Sequence, residues 1–308
     1  MAAIWIPKRL VELSLINTRA SSKHKFVRHC EFEYESRLYT AAREIIDDDK
    51  RVVLISGPSS SGKTTSAYKL RDKLVNLGKN VQVVSMDNFY RNLDDYPRLP
   101  DGRKDYENVT ALQVDLFGEC VNELLEKGEA MFPKFDFATE TRTDAAEKIE
   151  TGEDGILIVE GIHALNPLIL DLLPEDKRVT IYAGLREEYS HRGQIVLPSR
   201  DIRMIRRMIR DYRHRGHTPA QTIDMWPRVC EGEDTYIKPF KPNADILLDT
   251  SFSYEILVMN SVLKNFTEFA DDTEEGRRLA GILEVFDNLD RLPAGYIPKN
   301  SMLVEFYG

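Results

Sequence analysis

The stretch "LISGPSSSGKTTSAYKL", Leu54 to Leu70, decides the fold, because Gly57 to Thr64 spell G-x-x-x-x-G-K-[ST] between a strand-like and a helix-like segment. Upstream, "RVVLIS" is a β-branched run suited to a strand buried on both faces. Downstream, "KTTSAYKLRDKLVNLG" puts Ala67, Leu70, Leu74 and Leu77 on one helical face, with Gly78 where a C-terminal cap belongs. Small residues let successive backbone N–H groups point into one concavity, and the following helix adds its positive end. Gly57, Ser59, Ser60, Ser61, Gly62, Lys63, Thr64 and Thr65 are therefore candidate binders of a nucleoside triphosphate. Lys63 is placed to reach the β- and γ-phosphates, and the Thr64 hydroxyl to ligate Mg²⁺. A serine-rich turn that happens to carry Gly and Lys is the plainer alternative, and the flanking elements speak against it.

Outward from this loop, "NVQVVSMD" reads as a second strand ending in Asp87, "GILIVEG" as a third with Glu160 near its end, "RVTIYAG" as a fourth and "ADILLDT" as a fifth. Helical patterns lie between them. "TALQ" from Thr110 has capping-box spacing, an Arg-rich helix is expected over about 201–214, and "TPAQ" opens another with Thr218 as cap and Pro219 in the first turn. Strands alternating with helices predict an α/β fold: a parallel five-stranded sheet flanked by helices, with ligands beyond the carboxyl ends of the strands. Before the core, a helical pattern is expected from Glu33, and residues 1–31 read as a loosely ordered N-terminal arm. After it, residues 253–308 read as a helical extension, with helices over about 253–270 and 274–290 and "SMLVEF" as a last short strand. The expected partition is thus 1–31, a core of 32–252 with an Arg-rich lid over about 200–217, and 253–308 packed on that core.

Composition narrows the class of protein. The 308 residues are 42% hydrophobic, ample for a buried core, and the net charge of −9 argues against a general nucleic-acid binder. An anionic ligand must meet a local basic patch. Cys30, Cys120 and Cys230 are scattered and lack C-x-x-C spacing, so neither a disulfide framework nor a zinc site is expected, and a cytoplasmic setting fits best. No segment approaches 18 apolar residues, so no membrane span is expected. A small-molecule partner fits these features, and assembly into a homo-oligomer is left open.

The other strand ends must say what happens to the triphosphate, since switches, motors and kinases share the loop. Asp87 would take the proton from an attacking hydroxyl or orient it, the alternative being a solvated strand-end Asp. Glu160 occupies the place of a metal-side acid, against the alternative of a surface Glu before a turn glycine. "RDIRMIRRMIRDYRHRGH" reads equally as a solvated face or as a lid whose Arg203, Arg207 and Arg210 share one side and close over phosphate.

With the loop, "SMDNFYR", "FPKFDF", "VEGIHALNP", "RRMIRDYRHRG" and "ADILL" in this order, the chain resembles the uridine kinase and phosphoribulokinase group of P-loop kinases over roughly 52–250. "EGIHALNP", the W-P-x-V-x-x-G-E run from Trp226 to Glu233 and "IPKNSMLVEF" look like a bacterial uridine kinase-like nucleoside kinase branch. Longer members of that branch carry a domain similar to part of threonyl-tRNA synthetase before the kinase, which the resemblance implies is absent or reduced here. It further implies ATP and Mg²⁺ as cofactors, with Lys63 and Thr64 on phosphate and metal, Glu160 on metal and Asp87 as the base facing a nucleoside 5′-hydroxyl. Tyr90 would line that pocket and Glu107 would hold the ribose hydroxyls. Arg207, Arg210 and Arg215 would meet the triphosphate and the acceptor side.

Two departures stand out. Uridine kinases place a tyrosine and a histidine against the base in "Y-D-F-x-x-H-x-R", whereas this chain has Phe135, Glu140 and Arg142 in a run Phe135 to Arg142. Exchanging a buried hydrogen-bond partner in this way shifts preference by orders of magnitude, so the acceptor is open, with a sugar, sugar phosphate or polyol as the rival. A phosphorylated acceptor would need Arg91, Arg98 or Arg142 on its far side. The second departure is His217, where the lid of the group usually has a further arginine. A nucleotide-binding module that signals to a partner is the third reading.

Overall fold

The computed structural model describes residues 7–92, 95–98, 102, 104, 105 and 107–308. Its centre is a parallel sheet of β2 (Val52–Ser56), β3 (Val81–Ser85), β6 (Ile156–Glu160), β7 (Arg178–Gly184) and β10 (Ile246–Asp249), in the order β10-β7-β2-β6-β3. Successive side chains of a strand face opposite ways, and both faces here are apolar. Val53, Ile55, Ile156 and Ile158 enter one hydrophobic cluster, while Val52, Leu54, Leu157 and Val159 enter the other. The five expected strands are these five. One detail differs: β3 stops at Ser85, and Asp87 sits in the 3₁₀ turn Met86–Phe89, its own amide donating to the Ser85 hydroxyl.

The first cluster is covered by α2 (Lys23–Asp47), α3 (Lys63–Asn76), α6 (Ser199–His214), α7 (Pro219–Gly232), α8 (Glu255–Leu263) and α9 (Glu274–Phe286). The second is covered by α4 (Val114–Lys127), the short α5 (Pro167–Leu170) and the antiparallel hairpin of β4 (Glu129–Asp136) and β5 (Thr141–Glu150). Thr218 and Gln221 form the expected capping box of α7. Thr110 caps nothing: it lies in a 3₁₀ turn capped by Asn108, and α4 begins only at Val114. The Asn108 side chain accepts from the Thr110 amide and so caps the turn two residues earlier than the box spacing predicts.

The described part of 1–31 is not loosely ordered. It comprises β1 (Arg9–Glu12), α1 (Leu13–Ala20) and the first turns of α2, which starts ten residues before Glu33; residues 1–6 lie outside the described residues. β1 runs parallel to β8 (Glu187–His191), which pairs antiparallel with β9 (Gln194–Leu197). Leu13, Ile16, Phe26 and Val27 are buried, so the segment is held by core packing despite its polar "NTRASSKHK". The expected last strand is also corrected: Met302, Leu303 and Phe306 are buried around a single helical turn, α10 (Val304–Tyr307), packed against α6. No described helix is long and apolar enough to cross a membrane.

Candidate active site

The loop after β2 is shaped by close approach. A Cβ on Gly57 would lie 2.3 Å from the Ala183 carbonyl oxygen, and Gly62 takes φ +81° against the Met302 thioether, so both positions require glycine. Ser60 also adopts positive φ. Gly62 leaves the first amides of α3 without a side-chain cap, and the Ser60 and Ser61 hydroxyls are buried with no partner among the described residues. Orphaned donors around a helix N-terminus fit a polyanion. Beside them the Thr64 hydroxyl donates to Glu160 Oε2 at 3.1 Å, and Lys63 Nζ stands 3.9 Å from the same oxygen. This oxygen pair suits Mg²⁺, and the described residues hold no cluster of three or more acidic, Cys or His side chains, so remaining ligands would come from phosphate and water.

The arginines of α6 are not equivalent: Arg213 is exposed, whereas Arg203 and Arg206 are buried and Arg207 and Arg210 mostly shielded. Arg206 is fully buried, pairs with Glu255 at 2.7 Å and donates to the Ser60 and Thr250 carbonyls. Arg203 pairs with the buried Glu233 and donates to the Ser59 carbonyl, so these two fasten α6 to the loop. Arg207 donates to the Ser59 hydroxyl. Arg207, Arg210 and Arg215 converge on one fully buried carboxylate, Asp211, at 3.2, 3.1 and 3.4 Å. Those three also line a polar cavity of ≈ 270 Å³ with Ser59 to Thr64 and Glu305.

A second cavity, ≈ 360 Å³, opens on the other side of Lys63. Its walls are aromatic: Tyr90, Tyr96, Phe135 and Phe137, the last two delivered by the β4–β5 hairpin. Tyr90 and Phe135 meet edge to face at 5.8 Å. Its polar groups are Asp87, Glu107, Glu140, Glu233, Lys63 and Arg207. Burial pushes the Asp87 carboxyl up to about 6, with Lys63 opposing the shift and Glu160 adding to it. Glu107 is likewise raised by burial, against the pull of Arg207. Gly232 at the end of α7 has no side chain because a Cβ there would meet Glu107 Cγ at 3.1 Å. Burial and the nearby Asp87 and Glu107 carboxylates also raise the Tyr90 phenol.

The two cavities share Ser59, Lys63 and Arg207. Of the residues singled out from sequence, Gly57, Thr65, Glu160, Arg142, Arg91, Arg98, Arg203 and His217 line neither. Gly57 shapes the loop, Thr65 turns to Glu305, and Glu160 stands behind Lys63 and Thr64. Arg142 is held by Asp144 and the Tyr90 carbonyl instead of facing the second cavity. Tyr96, Phe137, Glu233, Asp211 and Glu305 were missed. The run Trp226 to Glu233 pointed near Glu233, but nothing local marks Asp211 as the anchor of three arginines.

The profile described as "Phosphoribulokinase / Uridine kinase family" matches residues 52–255. A uridine kinase of Deinococcus deserti is 27% identical over 198 residues, covering 64% of this chain and 86% of that protein. One of Ligilactobacillus salivarius is 28% identical over 204 residues, covering 65% and 86%. A solved structure described as a possible uridine kinase from Bacillus stearothermophilus superposes with a TM-score of 0.48 at 18% identity, over 70% of this chain and all of that one. The chain therefore belongs to the phosphoribulokinase/uridine kinase family and is a small-molecule kinase of the P-loop type.

Proposed function

We propose that the protein uses ATP and Mg²⁺ to phosphorylate the 5′-hydroxyl of a ribonucleoside. The observation that carries this reading is the pair of cavities meeting at Ser59, Lys63 and Arg207, one polar and ringed by loop amides and arginines, the other aromatic-walled and acidic. The polar cavity takes the triphosphate, and Mg²⁺ held by Thr64 with Glu160 would offset phosphate charge. Lys63 spans the junction and stabilises charge on the transferring group. Asp87, raised to about 6 by burial, is ionised at neutral pH yet basic enough to accept the hydroxyl proton. Arg207, preset by Asp211, faces the transferring phosphate, with Arg210 and Arg215 on the donor side.

On the acceptor side, Tyr90 and Phe135 offer flat walls for a base, Glu107 accepts from ribose hydroxyls, and Glu140 stands where a base edge would be read. A phosphorylated acceptor is less well supported, because Arg91, Arg98 and Arg142 do not line the cavity. Asp87→Asn is the direct test. It should cut turnover by about 10²–10⁴-fold while ATP affinity barely changes. Near-normal turnover would sink the assignment. An ADP-release assay over nucleosides, sugars and sugar phosphates, with product masses, identifies the acceptor.

A further inference from the structure

Glu305 puts a carboxylate into a cavity otherwise built for anions. It is not an accidental surface side chain, because the turn that carries it is fastened on several sides. Met302 packs under Gly62, Phe306 lies beneath the Arg206 guanidinium at 4.9 Å, the Tyr307 hydroxyl donates to Glu255 at 2.9 Å, and Arg213 donates to the Tyr307 carbonyl. Glu305 Oε2 accepts from the Thr65 hydroxyl at 2.5 Å. One carboxylate oxygen is thereby fixed, and the other remains to accept from a ligand.

Its position along a bound triphosphate follows from the two cavities. The γ end must lie where they meet, at Ser59, Lys63 and Arg207. Residues found only in the polar cavity, among them Gly62, Thr64, Arg210, Arg215 and Glu305, therefore flank the part of the donor that leads away from the acceptor. A carboxylate repels phosphate and accepts from hydroxyls. The group beyond the phosphates that carries hydroxyls is the donor's ribose.

We propose that Glu305 is a donor-specificity residue whose carboxylate accepts a hydrogen bond from a ribose hydroxyl of the donor nucleotide. This rests on the polar cavity being the donor site. A hydrogen bond to a charged group changes affinity by about tenfold or more when its partner is removed from a partly buried site.

Isothermal titration of the full chain, with Mg²⁺ and no acceptor, would use ATP, 2′-deoxy-ATP, 3′-deoxy-ATP and inorganic tripolyphosphate. Wild type should prefer ATP to at least one deoxy donor by about tenfold. Glu305→Ala should erase that preference while tripolyphosphate binds as before, and Glu305→Gln should keep part of it. Equal binding of ATP and both deoxy donors by wild type overturns the proposal without any variant, as does discrimination that survives Glu305→Ala. A uniform gain of affinity in Glu305→Ala for every ligand, tripolyphosphate included, also overturns it, since the carboxylate would then act only by repelling phosphate. If wild type binds ATP no better than Lys63→Ala does, the donor-site reading itself has failed, whereas Lys63-dependent binding without ribose discrimination refutes Glu305 alone.

Discussion

Asp87 should cost the protein stability for as long as it is ionised, so Asp87→Asn should be the more stable protein at high pH even as it loses turnover. The Asp87 carboxyl titrates near 6 in the folded chain against 3.8 for an unperturbed group, because burial disfavours its charged form. A raised folded-state value means that the fold holds the proton more tightly than the unfolded chain does. The associated stability is fully present below about pH 4 and is lost as pH rises through about 6. At pH 5 the folded group is about ten parts protonated to one ionised, worth about 1.4 kcal/mol, and at pH 8 nothing remains. Asp87 is only partly shielded from solvent, which trims the figure to about 0.7–1.4 kcal/mol. Asn is neutral throughout and mimics the protonated acid. The melting temperature of Asp87→Asn relative to wild type should therefore rise by about 1–2 °C between pH 5 and pH 8. Scanning calorimetry of both proteins at the two pH values measures it, with pH 5 as the internal control for packing changes. A difference that does not vary with pH, or a variant less stable at pH 8 than at pH 5 relative to wild type, refutes the reasoning.

Gly62→Ala forces a left-handed φ on alanine and drives its Cβ to 2.6 Å from the Met302 sulfur, so a loss of about 1–3 kcal/mol in urea unfolding is expected, along with weaker ATP binding by titration. Arg206→Met strands the buried Glu255 and should cost about 3–5 kcal/mol, most of it recovered in Arg206→Met with Glu255→Leu; a double variant as unstable as the single one contradicts this. Asp211→Asn releases the side chains of Arg207, Arg210 and Arg215, and initial-rate kinetics should show KM for ATP raised about tenfold with the acceptor KM little changed.

The readable parts of this chain were those where local pattern and tertiary role coincide. β2, β6, β7 and β10 are buried on both faces, the edge strand β3 less fully, and all read as short, largely apolar runs, while the loop at Gly57–Thr64 carries its geometry in its glycines. The misread parts depend on distant partners. α1 and the start of α2 are polar on most of their surface, and only contact with the core tells Ile16 or Phe26 from a surface residue. "SMLVEF" has a strand's composition, yet Met302 and Phe306 are claimed by Gly62 and Arg206, which holds that stretch in a turn. Within the site, Arg142 follows Glu140 by two residues but is drawn off by Asp144 and the Tyr90 carbonyl, a competition invisible in spacing. Asp211, one of two acids in the basic helix α6, organises three of the arginines around it, a role no local pattern marks.

The order of strands in the central sheet has a consequence for synthesis. β2 leaves the ribosome carrying the loop, but its two neighbours, which begin to pair with Val52 at Leu157 and Arg178, come more than a hundred residues later. At about 5–20 residues per second the nascent chain therefore spends on the order of ten seconds with both hydrogen-bonding edges of β2 unpaired. β1 waits longer still for Glu187. No hairpin shields these strands in the interval, since parallel partners cannot pair through a tight turn. Yield in a cell should thus track chaperone supply and translation speed more than the stability of the finished fold.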